Sequence, residues 1–130
     1  MSHRLTDRER LAVALLPADR RYDYFVSKVV AEGQVWSLRN SQGWVVMSSE
    51  EGDECLPVWP YSEFAAEWIS GEWADCSPAS VPLDTWLERW TPGMERDGSM
   101  LAVFPNEAEE GIVVTPGELG DSLRAELDKQ

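Results

Sequence analysis

Val35-Trp36-Ser37-Leu38, Trp44-Val45-Val46-Met47 and Cys55-Leu56-Pro57-Val58-Trp59 are three runs rich in β-branched and aromatic residues. Between them stand two runs of turn formers, Asn40-Ser41-Gln42-Gly43 and Glu50-Glu51-Gly52-Asp53-Glu54. β-branched and aromatic side chains pack well on a pleated surface, and Asn, Asp and Gly accept the backbone angles of tight turns. The stretch therefore predicts three strands joined by short turns, an antiparallel meander. Pro57 has no N–H to give to a ladder, so the third strand is expected at an edge or a bulge.

Helical spacing flanks the meander on both sides. Upstream, Thr6 and Glu9 form a T-x-x-E capping box for a helix from about Asp7 to Leu16, ended by Pro17. Tyr22, Phe25, Val26, Val29 and Val30 follow at i, i+3, i+4, i+7 and i+8, and Gly33 is placed to stop that helix. Downstream, Pro60 ends the meander, and Tyr61, Phe64, Ala65 and Trp68 repeat at helical spacing up to Gly71. A connecting stretch with Pro78 and Pro82 leads to Leu83, Trp86, Leu87 and Trp90, a helix expected to break at Pro92-Gly93. Met100–Phe104 and Ile112–Val114 read as a fourth and a fifth strand around the polar, acidic loop Pro105–Gly111. Thr115-Pro116-Gly117-Glu118 sets Thr at N-cap, Pro at N1 and Glu at N3, and the helix it opens places Leu119, Leu123 and Leu127 on one face. The order α-α-β-β-β-α-α-β-β-α predicts an α+β fold, a mostly antiparallel five-stranded sheet with helices packed against it.

The 130 residues suit a single domain, and 43% hydrophobic residues at patterned positions argue for a packed core rather than disorder. The net charge of −13 is unevenly spread: residues 1–40 sum to +2 and residues 41–130 to −15. Such a surface repels phosphate backbones and anionic membranes, so nucleic acid and membrane are not expected as partners. It favours a basic protein partner, although solubility alone also calls for net charge. Met1–Arg10 carries acidic residues, and the apolar stretch Leu11–Leu16 is too short for a secretory signal. No run approaches the ~20 apolar residues of a membrane span, so the chain is expected in the cytoplasm.

Catalytic chemistry finds few candidates. The one histidine, His3, lies at the extreme N-terminus, far from any position suited to activating a nucleophile. Cys55 and Cys76 are too few for a structural zinc site and do not make a C-x-x-C pair. Cys55 reads as a small buried hydrophobe and Cys76 as a partly exposed thiol. The turn Glu50–Glu54 lacks the ligand spacing of an EF-hand loop and reads as a solvated hairpin turn. Phosphate-binding and dinucleotide-binding glycine loops are absent from the sequence. No metal, no cofactor and no enzymatic activity are therefore expected.

Tryptophan is the unusual component, with seven residues. Trp68, Trp86 and Trp90 fall on apolar helix faces and read as core. Trp36, Trp44 and Trp59 fall on three adjacent predicted strands. Trp73, in Gly71-Glu72-Trp73-Ala74-Asp75, lies outside any periodic pattern. A pocket, if the chain has one, is expected to use Trp59 and Trp73 with the carboxylates Glu72 and Asp75, because ligand sites combine aromatic walls with a few polar groups.

Gly43-Trp44-Val45, Leu56-Pro57-Val58-Trp59-Pro60 with Phe64-Ala65, Gly71-Glu72-Trp73, Leu87-Glu88-Arg89-Trp90-Thr91-Pro92-Gly93-Met94 and Val103-Phe104-Pro105 occur in this order. In them the chain resembles the bacterial family called domain of unknown function 2750, over about Tyr22 to Leu127. The resemblance implies a small bacterial protein and transfers no catalytic residue. The strand ending Leu56-Pro57-Val58-Trp59 and the late segment Gly111–Leu119 are also similar, at the level of fold, to the SseB N-terminal domain. That likeness leans toward an interaction role.

The expected function is a non-enzymatic protein-interaction module with a basic partner, one concrete form being an immunity-like protein that masks a basic toxin. The alternative is a small-molecule-binding protein or small enzyme with a Trp-lined pocket. A homodimer paired through the predicted edge strand Leu56–Trp59 is a third arrangement open to the sequence.

Overall fold

The structure is a computed structural model and describes residues 6–41, 43–48, 54–67, 74–105 and 111–129. The elements are α1 (Asp7–Ala14), α2 (Ala18–Glu32), β1 (Gln34–Asn40), β2 (Gly43–Trp44), β3 (Met47–Ser48), β4 (Glu54–Val58), α3 (Ser62–Ala66) and β5 (Ser77–Pro82). Then come α4 (Leu83–Thr85), a π-helical turn (Trp86–Trp90), α5 (Thr91–Asp97), β6 (Met100–Val103), β7 (Ile112–Val114) and α6 (Pro116–Asp128). The fold is α+β, as expected. The single five-stranded sheet is not what forms: the strands make two sheets, of three in the order β2-β1-β5 and of four in the order β3-β4-β6-β7.

Pro57 explains the split. β1 and β4 meet at one antiparallel bridge, where Trp36 N–H donates to the Trp59 carbonyl at 3.0 Å and Trp59 N–H to the Trp36 carbonyl at 2.8 Å. Continuing that register would set Leu38 opposite Pro57, which has no N–H to donate. The Leu38 carbonyl accepts instead from Val45 N–H at 3.0 Å, and the Pro57 carbonyl takes the Ser37 hydroxyl at 2.6 Å. The segment predicted as one strand, Trp44–Met47, is thereby divided. Its start pairs with the end of β1 (Arg39 opposite Trp44), and its end pairs with the start of β4 (Met47 opposite Cys55). A strand that bends to serve two sheets is a common way to turn a corner. β4 is interior to its sheet, but at Pro57 the side facing β1 has no strand partner, so the proline occupies a locally edge-like position.

A further correction concerns Ser77–Pro82, read from the sequence as a connecting stretch. It forms β5 and pairs along β1 from Gln34 opposite Pro82 to Arg39 opposite Ser77. Its two prolines obscure the strand pattern, yet β5 is an edge strand, the place where a sheet tolerates them. The meander is not wholly antiparallel in its wider sheet either. β4 and β6 run parallel, Cys55 opposite Met100 to Val58 opposite Val103, with the helices and β5 supplying the crossover.

Pro92-Gly93 does not break the helix. Thr91 N–H reaches back five residues to the Trp86 carbonyl, and α5 begins with Pro92 in its first turn, where a missing N–H costs nothing. The helix stops at Gly98 instead, in the left-handed region at φ 73°. There Gly98 N–H donates to the Glu95 carbonyl and Ser99 N–H to that of Met94, the paired bonds of a Schellman motif.

The caps form as expected. Thr6 and Thr115 accept N–H bonds from Glu9 and Glu118, each at 3.1 Å, and Gly33 closes α2 at φ 76°. Phe25, Val26 and Val29 of α2 and Leu119 and Leu123 of α6 bury against β-strand residues such as Val35, Val58, Leu101 and Val103, in one contiguous hydrophobic cluster. Leu127, expected on that face, is exposed in the last turn of α6. Arg21, in the first half of α2, is 3% exposed; its guanidinium donates to the carbonyls of Leu16 and Phe104. The predicted turn at 50–53, the helix end at Trp68–Gly71, the acidic loop at 106–110 and His3 lie outside the described residues.

Candidate functional site

The pairing of Arg39 with Trp44 starts an aromatic ladder. Cross-strand neighbours bring their side chains onto one face, and the Arg39 guanidinium carbon lies 5.3 Å from the centre of the Trp44 ring. Trp44 meets Trp90 edge to face, with ring centres 4.9 Å apart at 88°. Trp90 in turn stacks on Trp86, at 5.5 Å and 19°. The last two rings belong to the π-helical turn. Its wider winding is held by the Thr91 hydroxyl, which adds a second bond to the Trp86 carbonyl at 3.0 Å. α6 backs this turn closely: a Cβ at Gly120 would stand 3.5 Å from the Thr91 methyl.

The ladder runs from surface to core. Arg39 is exposed, Trp44 and Trp90 are half-buried, and Trp86 is fully buried. Trp90, expected in the core, is thus partly open, because the π turn and the divided strand leave it beside Trp44 at the surface. The Trp86 indole N–H has no hydrogen-bond partner among the described residues. A buried donor left unpaired is costly, so ring placement in this ladder has prevailed over hydrogen-bond satisfaction. Asp84 and Glu88 are exposed on the same helical stretch.

A second cluster joins α1, α2 and α3. Tyr24 OH donates to the Glu9 carboxylate, its ring meets Phe64 edge to face at 6.3 Å, and Lys28 Nζ lies 5.6 Å from the ring centre. Burial, reinforced by Glu9, pushes the Tyr24 hydroxyl well above the ordinary tyrosine range. Burial raises Tyr61 likewise, with the Glu32 and Glu9 carboxylates adding to it. Both hydroxyls are held protonated at neutral pH, and that of Tyr24 serves as a hydrogen-bond donor rather than as a proton acceptor.

Of the four residues proposed from sequence for a pocket, Trp59 and Asp75 are among the described residues. Trp59 is fully buried at the bridge between the sheets, and its indole N–H donates to the Pro105 carbonyl at 3.3 Å. Asp75 is exposed just before β5. Glu72 and Trp73 lie outside the described residues. Cys76 is buried rather than partly exposed; its Sγ lies 3.8 Å from the Asp75 carboxylate, and burial, with Asp75 second, pushes the thiol pKa up. A raised thiol pKa disfavours the reactive thiolate. Cys55 is buried as expected. Among the described residues no group of His, Cys, Asp and Glu is arranged to hold a metal ion, and no helix is long and apolar enough to cross a membrane. The Trp44–Trp90 contact escaped the sequence reading because its members are 46 residues apart and come together only through the strand division and the π turn.

These features define an α+β protein of two bridged sheets that carries an aromatic ladder from its surface to its core. The chain belongs to the family of proteins of unknown function designated DUF2750, which matches residues 22–123. No curated protein and no solved structure matches it. The match takes in the ladder, the divided strand and the Phe104-Pro105 turn, whereas α1 precedes it.

Proposed function

We propose that this chain is a non-catalytic interaction module whose acidic surface binds a basic protein partner. The observation that supports this is uncompensated surface charge. Asp84, Glu88, Asp97, Asp121 and Asp128 are exposed and make no ion pair among the described residues. They belong to the segment after residue 40, which carries four basic against nineteen acidic residues. A field of one sign speeds the encounter with an opposite charge and disfavours acidic competitors. An immunity-like role, in which this surface masks a basic toxin, is one form of the reading.

Capture from a lysate of the source organism at low and at high salt tests it, with the bound proteins identified by mass spectrometry. The proposal expects a specific basic partner that is released at high salt. A partner set that is neutral or acidic, or that is retained unchanged at high salt, contradicts it.

A further inference from the structure

We infer that the outer face of α1 is a contact surface for a second copy of this chain, two α1 helices pairing antiparallel about a two-fold axis. Leu11 and Leu15 are 59% and 87% exposed, the highest values among the large hydrophobic residues described. Arg8, Leu11 and Leu15 stand at i, i+3 and i+7, one face of the helix, and Leu15 keeps the helical conformation as its C-cap. Val13 lies on the opposite side and is the residue that α1 buries. Ala12 and Ala14 flank the leucine stripe and are exposed, and small side chains let a second helix approach closely.

Charge names the occupant. Residues 1–40 sum to +2 and residues 41–130 to −15, so two copies repel one another least through their N-terminal segments. The α1 face is itself balanced, with Asp7 and Arg8 exposed side by side. An antiparallel pair centred between Leu11 and Leu15 sets Leu11 of one copy against Leu15 of the other. It also carries each Arg8 to the C-terminal end of the facing helix. That end has no basic residue of its own, and a cation there meets the negative pole of the helix dipole. Arg8 makes no ion pair among the described residues, so its guanidinium is available. The two-fold axis repeats each of these contacts. The strand expected from sequence to pair between copies cannot do so, because β4 is flanked by β3 and β6. α1 has 8 residues, about 12 Å of helix, so the contact is far smaller than the ~800 Å² per partner of a stable complex, and the dimer is weak.

The test is sedimentation equilibrium of the full chain from about 10 μM to about 1 mM, at about 0.05 M and about 0.5 M sodium chloride. A monomer–dimer equilibrium is expected, with a dissociation constant of roughly 0.1–1 mM. It should tighten several-fold at high salt, because screening relieves the repulsion between two acidic bodies. That sign is opposite to the release expected of a basic partner, so this inference and the interaction reading fail separately. Leu11→Ala and Leu15→Ala together should weaken the dimer at least about tenfold, while the helix propensity of alanine keeps α1 formed. Arg8→Glu should weaken it several-fold, although an acid in the first turn suits α1 itself. Val113→Ala, at an exposed position of the edge strand β7, should leave it unchanged. A monomer at every concentration and both salts overturns the inference, as does a dimer that the α1 variants leave intact. A monomer that binds phosphatidylcholine vesicles through Leu11 and Leu15 overturns it too, and gives this face to a lipid surface.

Discussion

Arg21 on α2 donates from Nε to the carbonyl of Phe104 at 3.1 Å, and Phe104 is a non-glycine residue held at φ 51°. Left-handed backbone costs an ordinary residue roughly 1–2 kcal/mol, so something must hold it there. The buried guanidinium does so from one side, and the Trp59 indole, bonded to the next carbonyl at Pro105, does so from the other. Arg21 also ties this turn to the end of α1 through the Leu16 carbonyl, at 2.6 Å. Arg21→Met is therefore expected to destabilise the protein by about 2–4 kcal/mol, through charge-assisted bonds lost and carbonyls left buried. Arg21→Lys should not restore stability, because an ammonium cannot reproduce the fork. Urea unfolding of the two variants provides the check.

Two glycines should respond to alanine in opposite directions. At Gly111 an added Cβ would stand 2.9 Å from the Val103 carbonyl oxygen and 3.0 Å from Pro105 Cα, both backbone atoms that cannot swing away. Gly111→Ala is expected to cost about 1–3 kcal/mol by overpacking. At Gly93, inside α5, the nearest atom is a flexible Arg96 nitrogen at 3.8 Å. Gly93→Ala should stabilise by about 0.5–1 kcal/mol through reduced chain entropy and better helix propensity. Thermal melts of both variants test the contrast.

Tyr24 and Tyr61 make stability fall in alkali. Their folded hydroxyls ionise above the ordinary value of 10.0, chiefly because of burial. The unfolded chain therefore releases these protons first as pH rises. Their contribution is complete below about pH 10 and is lost progressively above it. The urea midpoint should drop from pH 9 towards pH 11, and Tyr24→Phe, which removes one ionising group, should show a shallower drop. An equal slope in the variant would show that Tyr24 does not carry the effect.

Trp59 and Trp90 should differ as fluorophores. Trp59 is fully enclosed, so acrylamide should barely reach it, whereas the half-buried Trp90 should be quenched. Single-tryptophan losses separate them: Trp90→Phe should remove quenchable emission, and Trp59→Phe should remove protected emission. The latter should also cost about 2 kcal/mol, from the Pro105 bond and the volume left behind.

Much of the fold was legible where local chemistry decides structure. Thr6, Thr115 and Gly33 marked helix ends, and the spacing of Phe25, Val26 and Val29 marked a buried face. The sequence was less informative where tertiary competition decides. Pro57 announced an interrupted ladder, but not that Val45 would take its place on the Leu38 carbonyl. Pro78 and Pro82 hid an edge strand that only its long pairing with β1 reveals. Pro92-Gly93 read as a stop because a proline inside a regular helix breaks a bond, and the π turn removes that conflict. No local signal distinguishes Arg21 from its exposed neighbour Arg20, since its burial depends on a turn 83 residues away. The ladder of Trp44, Trp90 and Trp86 was out of reach for the same reason, as was the place of Trp59 at the bridge.

The most direct test of a charge-driven interaction module is the affinity for an arginine-rich peptide as a function of ionic strength, measured for the wild-type protein and for a variant with Asp84→Asn, Glu88→Gln, Asp97→Asn and Asp121→Asn together. Affinity that falls steadily as salt rises, with a flatter dependence in the variant, is the predicted result. Affinity independent of salt, or a variant that binds as the wild type does at every salt concentration, would contradict it.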